Sequence, residues 1–523
     1  MNVLTLLDMA ATGMPDRVGV GPRRRATVSN QAGLTYPALL DRAARGARLL
    51  AARDAQELVY LGVNTDDFAV ALFAAAWAGI PLVPLNYRLG PDALERLLAH
   101  HPDAVVLSDL DPPTHADTVT MAEWQAACAA PGDEFSPWSD DADAVAVLLY
   151  TSGTTSAPKA AVLRHRHLMS YLLGSIEFGA AAEHDAVIVS VPPYHIAGVS
   201  NLLSNVYAGR RVVYLETFTA QGWLDCVRAE AITHALLVPT MLAKIADHLA
   251  GATTADVPTL KSLAYGGAKM PVPVLERAIG LLPEVGFVNA YGLTETSSTI
   301  AVLGPDDHRA ALHGDPVARA RLGSAGRLLP GIEVQIRGPR GALPAGAAGD
   351  IHVRGEQVSG EYRGAGSLLD GDGWFATRDR GWVDEEGYLF VEGRTDETII
   401  RGGENIAPAE IEDVLLDHPA VAEATVLGIP DEHWGQDIAA AVVLRPGHDV
   451  GTEELRHWVR SRLRGSKTPA LLVIRNALPQ TSTGKVLRRE LLADLLATES
   501  TAASARPDLP HLTDPITGSD NDA

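Results

Sequence analysis

The chain has 523 residues, 46% of them hydrophobic and 21% charged, with a formal net charge of −22. That length exceeds one ordinary domain and can bury a large core without staples, while such an acidic surface repels nucleic acid and anionic lipid. Two distant cysteines, Cys128 and Cys226, exclude a disulfide scaffold and fit a reducing cytoplasm.

The first residues, MNVLTLLDMAATGMPDR, lack a basic start and read as no signal peptide. The apolar stretch Phe68 to Leu85 is broken by Gly79, Pro81 and Pro84, so it predicts a buried helix, a turn and a strand, not a membrane span. Ala104 to Ser108, Val145 to Tyr150, Ala186 to Val191 and Arg211 to Leu215 read as short strands buried on both faces. Helical segments lie between them, such as Pro91 to His100 and Trp223 to Glu230. This alternation predicts a mostly parallel, layered α/β architecture. From about Gly323 to Arg394, frequent glycines and the short strands Glu333 to Arg337, Asp350 to Arg354 and Tyr388 to Glu392 predict an antiparallel β-rich region. After Thr395–Asp396–Glu397 comes a smaller α+β unit. The expected organisation is an α/β N-terminal domain over 1–395 made of layered subdomains plus the β-rich region, a small mobile α+β C-terminal domain over 396–499, and a disordered tail over 500–523 rich in Ser, Thr, Pro and Asp.

The stretch Tyr150 to Lys159, YTSGTTSAPK, follows an apolar strand. It combines hydroxyl groups at Thr151, Ser152, Thr154 and Thr155, the flexible Gly153, and a cation at Lys159. Polyphosphate requires backbone N–H groups, hydroxyl donors and a positive charge in one place. The Walker spacing is absent. The chain has only six lysines, and two of them, Lys159 and Lys485, fall inside motifs.

The ten-residue string resembles the YTSGTTGxPKG signature of the adenylate-forming superfamily of acyl-CoA synthetases, peptide-synthetase adenylation domains and luciferases. Ser156 and Ala160 stand where glycine is usual, which reduces loop freedom. Further motifs occur in the family's order, so the resemblance covers about residues 30 to 495, on the acyl-CoA ligase branch. Asn289–Ala290–Tyr291–Gly292–Leu293–Thr294–Glu295 resembles the YGxTE motif. By that resemblance Tyr291 stacks on adenine, Thr294 touches the α-phosphate and Glu295 holds Mg²⁺. Gly266, Gly267 and Ala268 resemble the strand and loop beside adenine and the acyl pocket. Gly373 to Asp379 resembles GWxxTGD, which assigns Asp379 to the ribose hydroxyls. Arg378 replaces a glycine there, and either adds a phosphate contact or, as preferred here, points to solvent. Gly393 to Asn405 resembles GRxDxxIxxGGxN, implying that Arg394 contacts ribose or phosphate, that Asp396 is a hinge, and that Gly402 and Gly403 line the pantetheine channel. Pro479 to Arg488 resembles PxTxxGKxxR and maps the adenylation lysine onto Lys485. His195 falls where the family has an aromatic residue or histidine near the acyl tunnel; it either positions the carboxylate and gates the tunnel, or is a hydrogen-bonded core histidine.

The resemblance implies an ATP-dependent acid–thiol ligase using ATP, Mg²⁺ and coenzyme A. The expected partner is a small carboxylic acid, with no nucleic acid and no membrane span, and the protein is a cytoplasmic monomer or homodimer. No carrier domain follows residue 500, no substrate-amine aspartate lies within Tyr194 to Asn201, and the stretch between the Tyr291 and Asp379 motifs leaves no room for the insertion of carrier-loading acyl-AMP ligases. These features favour coenzyme A as acceptor over a carrier protein, and retention of Glu295 and Lys485 opposes a non-catalytic nucleotide-binding homologue. By the resemblance His195, Gly198, Val199, Gly266 and Ser297 line the acyl pocket, and the small or apolar Gly198, Val199, Gly266, Gly267, Ala268 and Ser297 there predict a fatty, aryl or bulky natural-product acid.

Overall fold

A computed structural model describes residues 1–22, 33–110, 117–131, 137–151, 159–312, 316–402, 404–431, 433–481 and 484–504. The chain divides into two compact units, one running to Asp396 and the other starting at Glu397.

The first unit is an α/β body built on two large sheets. One carries eight strands among the described residues. Its centre is parallel: Glu57–Leu61 pairs with Leu82–Pro84 on one side and Ala104–Ser108 on the other. These strands are buried throughout, which is why they are nearly all apolar. The helix Asp66–Ala78 ends at Gly79, whose φ of 73° stops it before the strand Leu82–Pro84. Helix Ala220–Ala229 begins three residues before the expected Trp223, because the Thr219 side chain accepts from the Gly222 N–H at 3.0 Å.

The other sheet carries fourteen strands among the described residues. Val18–Val20, Arg211–Tyr214, Ala186–Val189, His234–Leu237, Ser262–Gly266 and Gly286–Leu293, in that order, form its parallel part. The antiparallel region expected after Gly323 does not stand apart. Ser298–Leu303 pairs antiparallel with Gly286–Leu293, and Gly326–Leu328 then joins it to Tyr388–Arg394. The texture change in the sequence therefore marks a change of strand direction within one sheet.

The second unit holds a five-stranded sheet among the described residues, in which Gly435–Leu444 pairs antiparallel with Val421–Asp431 and parallel with Leu471–Arg475. Helices Pro408–Leu416 and Thr452–Arg462 bury Ile411, Leu415, Leu455 and Val459 against it. The last helix runs Arg488–Ser504, so residues 500–504, expected in a disordered tail, continue a helix; residues 505–523 lie outside the described residues. Among the described residues, no helix is long and apolar enough to cross a membrane.

Candidate active site

In a parallel sheet the side chains and backbone groups beyond the carboxyl ends of the strands are free to receive a ligand. His195 follows strand Ala186–Val189, Gly267 and Ala268 follow Ser262–Gly266, and Thr294 and Glu295 follow Gly286–Leu293. All lie past the carboxyl edge of the same sheet.

Glu295 sits in a short 3-10 turn, Thr294–Thr296, and is 9% exposed. Two donors, the Ser359 and Gly360 N–H groups, bind its carbonyl at 2.8 and 3.2 Å. Buried Gln357 donates to the carbonyls of Thr296 (3.0 Å) and Thr299 (2.8 Å), which holds the turn. The Glu295 carboxylate accepts from the Tyr362 hydroxyl. Tyr362 belongs to the strand Glu361–Tyr362 of the other sheet, paired with Lys159–Arg164. Burial and the Glu295 charge raise the Tyr362 phenol well above its ordinary pKa, so it acts as a donor, and the neighbouring Thr151 hydroxyl acts in the opposite direction. Thus Glu295 on one sheet and the start of the Tyr150–Lys159 segment on the other meet at one phenol.

Strands Val145–Thr151 and Lys159–Arg164 pair antiparallel, with Thr151 opposite Lys159. Lys159 is exposed. Ser152, Gly153, Thr154 and Thr155, together with Ser156, lie outside the described residues. At the foot of this segment the Tyr150 hydroxyl and the His101 Nε2 are 2.8 Å apart. His101, 1% exposed, also bonds Glu57, and Arg363 bridges Glu57 at 2.7 Å.

A second cluster forms around Asp379. Its Oδ2 accepts from the Tyr291 hydroxyl at 2.6 Å, and its Oδ1 from Arg394 at 3.1 Å. Arg394 also donates to the Thr377 carbonyl at 3.2 Å and lies 3.8 Å from Asp396. Asn289 donates to the Ser324 carbonyl at 3.0 Å, and Ala290 pairs with Gly266. Tyr291, Asp379, Arg394 and Asp396, far apart in sequence, therefore form one connected group.

His195 N-caps the helix Ile196–Ala208. Its Nε2 is buried with no hydrogen-bond partner among the described residues. Burial lowers its pKa to about 4, so the ring is neutral at pH 7. The small residues expected to open an acyl pocket have packing reasons of their own. A Cβ on Gly198 would lie 2.7 Å from the Pro192 carbonyl oxygen, and one on Gly266 2.3 Å from that of Ala290. Val199 is fully buried in the main core. Glycine at Gly198 and Gly266 thus permits close backbone approach, and is no sign of empty space. Ser297, with φ of 55°, is fully buried, its hydroxyl without a hydrogen-bond partner among the described residues, while its neighbour Ser298 bonds Ser200 at 3.0 Å.

In the second unit Gly402, at φ of 57°, turns the chain between Ile399–Arg401 and Glu404–Ile406; a Cβ there would sit 2.7 Å from the Trp434 ring. Gly403 lies outside the described residues. Lys485 closes a tight loop in which its N–H donates to the Thr481 hydroxyl at 3.0 Å. The Lys485 side chain is exposed and makes no ion pair among the described residues. Arg488 anchors the following helix by ion pairs to Glu412 (2.7 Å) and Glu397 (3.2 Å).

Comparison with known proteins decides the family. A model of the AMP-binding enzyme matches residues 15–363, and one of the AMP-binding enzyme C-terminal domain matches residues 410–485. The chain belongs to the AMP-binding enzyme family. This AMP-binding enzyme, on the acyl-CoA ligase branch of the adenylate-forming superfamily, is 34% identical over 497 residues to a feruloyl-CoA synthase from Amycolatopsis sp, covering 91% of this chain and 98% of that one. It is 34% identical to a fatty acid–[acyl-carrier-protein] ligase from Streptomyces coeruleorubidus, over 88% of this chain and 91% of the relative. Among solved structures, the o-succinylbenzoate CoA synthetase of Bacillus subtilis in complex with its acyl-adenylate is similar with a TM-score of 0.80 at 29% identity, over 93% of this chain and 97% of that one.

The sequence missed Tyr362, Gln357 and the Glu57–His101–Arg363 group. Their roles arise from contacts across dozens to hundreds of residues, and no local pattern signals them.

Proposed function

We propose that this AMP-binding enzyme activates a hydrophobic carboxylic acid with ATP and passes the acyl group to coenzyme A. The observation that carries the reading is a pair of clusters: Tyr291–Asp379–Arg394 for the nucleoside, and Glu295 with Tyr362 beside Thr151 for the phosphates. In the first half-reaction a carboxylate oxygen attacks the α-phosphorus, the bond to the leaving phosphate breaks, and pyrophosphate departs. In the second, a thiol sulfur bonds to the carbonyl carbon of the acyl-adenylate, its proton is lost, and AMP leaves.

Tyr291 offers an aromatic face to adenine, with its hydroxyl tied to Asp379 so that the ring is oriented. Asp379, with Arg394 on its other oxygen, accepts from both ribose hydroxyls. Thr294, with the segment Thr151 to Lys159 and Lys485, meets the negative charge that spreads over the phosphate oxygens, so catalysis is positional and electrostatic. Glu295 is a single buried carboxylate, the donor set expected where magnesium keeps water and phosphate oxygens as its other ligands. Bound there, Mg²⁺ would neutralise phosphate charge. Neutral His195, with Nε2 unpartnered, is available to donate or accept at the reacting carboxylate.

Lys485 serves adenylation and Gly402 and Gly403 serve thiol entry, so the second unit exchanges these surfaces by rotation about Asp396. Relatives named for feruloyl and 2-succinylbenzoate substrates favour an aryl acid within the hydrophobic class. The protein acts in the cytoplasm as a monomer or homodimer and binds no nucleic acid. A carrier-protein thiol is the second reading, favoured by the equal identity to the carrier-protein ligase. A panel of aryl, fatty and polycyclic acids in a pyrophosphate-release assay tests the function, with coenzyme A and a phosphopantetheinylated carrier compared as acceptors. Absence of acid-dependent pyrophosphate release across the panel would refute it.

A further inference from the structure

Arg378 stands between two buried site residues and departs from both of them. In the pairing of Gly349–Arg354 with Phe375–Val383, Asp350 pairs with Arg380 and His352 with Ala376, so the single Ile351 faces three residues, Thr377 to Asp379. This is a bulge, a device that re-aims side chains beside sites. The Thr377 hydroxyl pins it, donating to the Ile351 carbonyl at 2.8 Å and accepting from the Asp379 N–H at 3.1 Å. Thr377 and Asp379 turn inward and are 2% and 6% exposed, while Arg378 at the apex is exposed. Its φ is 63°, in the left-handed region that strains an arginine and would not strain a glycine.

Arg378 makes no hydrogen bond or ion pair among the described residues, in a chain with 65 acidic and 43 Lys and Arg residues. Its charge nevertheless reaches the Tyr362 hydroxyl, the group that bonds Glu295 beside Thr151. A strained, unpaired guanidinium at the nucleotide end of the site is a cation held for an anion that arrives.

We propose that Arg378 binds the β- and γ-phosphates of ATP, and the pyrophosphate that leaves. The inference rests on the function proposed above. A guanidinium offers paired N–H donors that match phosphate oxygens, which a glycine cannot. This enzyme therefore accepts local backbone strain in exchange for a polyphosphate contact.

Arg378→Gly and Arg378→Gln test it by calorimetric binding of Mg·ATP, magnesium pyrophosphate and AMP, with thermal midpoints alongside. Both variants should bind ATP and pyrophosphate about 10-fold more weakly and AMP as the wild type does. Arg378→Gly should also melt at or above the wild-type temperature, because the strain is relieved. Affinity and stability would then move in opposite directions, which a structural role does not predict. Unchanged ATP and pyrophosphate affinity in either folded variant would overturn the proposal, as would AMP weakened equally. Wild-type protein that binds ATP but releases no pyrophosphate with any acid refutes the proposed function alone, since the binding comparison still judges Arg378. Wild-type protein that binds neither ATP nor pyrophosphate refutes both.

Discussion

At the scale of single residues, the site depends on hydroxyls that hold charged groups in place. Tyr362 is the clearest case: its phenol bonds Glu295 and lies beside Thr151. A hydrogen bond to a charged group contributes about 1.5–3 kcal/mol, and 1.4 kcal/mol is tenfold. Tyr362→Phe should therefore lower kcat/KM for ATP about 10-fold or more while the protein melts near the wild-type temperature; steady-state kinetics and a thermal scan read both. Lys485 contrasts with it, being exposed and held only through its backbone by Thr481. Lys485→Ala should abolish pyrophosphate release yet spare thioester formation from a synthetic acyl-adenylate. Asp396→Pro should do the reverse, since a stiffened hinge hinders only the second half-reaction. Equal loss of both half-reactions in either variant would contradict the alternation.

At the scale of elements, the turn that presents Glu295 is made possible by close backbone packing. A Cβ on Gly292 would lie 1.9 Å from the Ser298 carbonyl oxygen, where the register between Gly286–Leu293 and Ser298–Leu303 shifts. Only glycine fits there. Gly292→Ala should force the two strands apart, destabilise the first unit by about 3 kcal/mol, and weaken ATP binding because Thr294 and Glu295 follow directly. A wild-type melting temperature in this variant would show that the strands can yield. The strands themselves were legible from composition, since buried runs such as Ala104–Ser108 are nearly all apolar. The bulge at Thr377–Asp379 was not, because a bulge is a property of pairing with Ile351 and leaves no mark on one strand alone.

At the scale of the whole molecule, buried histidines govern the response to acid. His165, His167, His195 and His234 all have pKa values lowered to about 4, chiefly by burial. Their unfolded value is about 6.5, so between about pH 4 and 6.5 the unfolded chain binds more protons and stability is lost as pH falls. Asp66 opposes this: burial and the neighbouring Asp67 raise it to about 6, so its contribution weakens as pH rises. Four histidines outweigh it, and the thermal midpoint should drop between pH 7 and pH 5. A midpoint at pH 5 equal to or above that at pH 7 would contradict this balance.

What the sequence determined by itself was local and compositional. Apolar runs marked the strands, and ordered motifs marked the family, while the roles they imply for Lys159, Tyr291, Glu295, Asp379, Arg394 and Lys485 stay proposals. It also pointed to the stretch around Asp396, where the compact units divide. The tertiary structure alone decided which polar groups face one another. It brought Glu295 and Thr151 to Tyr362, tied Tyr291 to Asp379, merged the β-rich region into the parallel sheet, and gave Gly198 and Gly266 packing duties in place of open space. The physical reason is that composition and periodicity act over a few residues, whereas hydrogen-bond geometry at the site is set by strand register and by contacts between segments far apart in the chain.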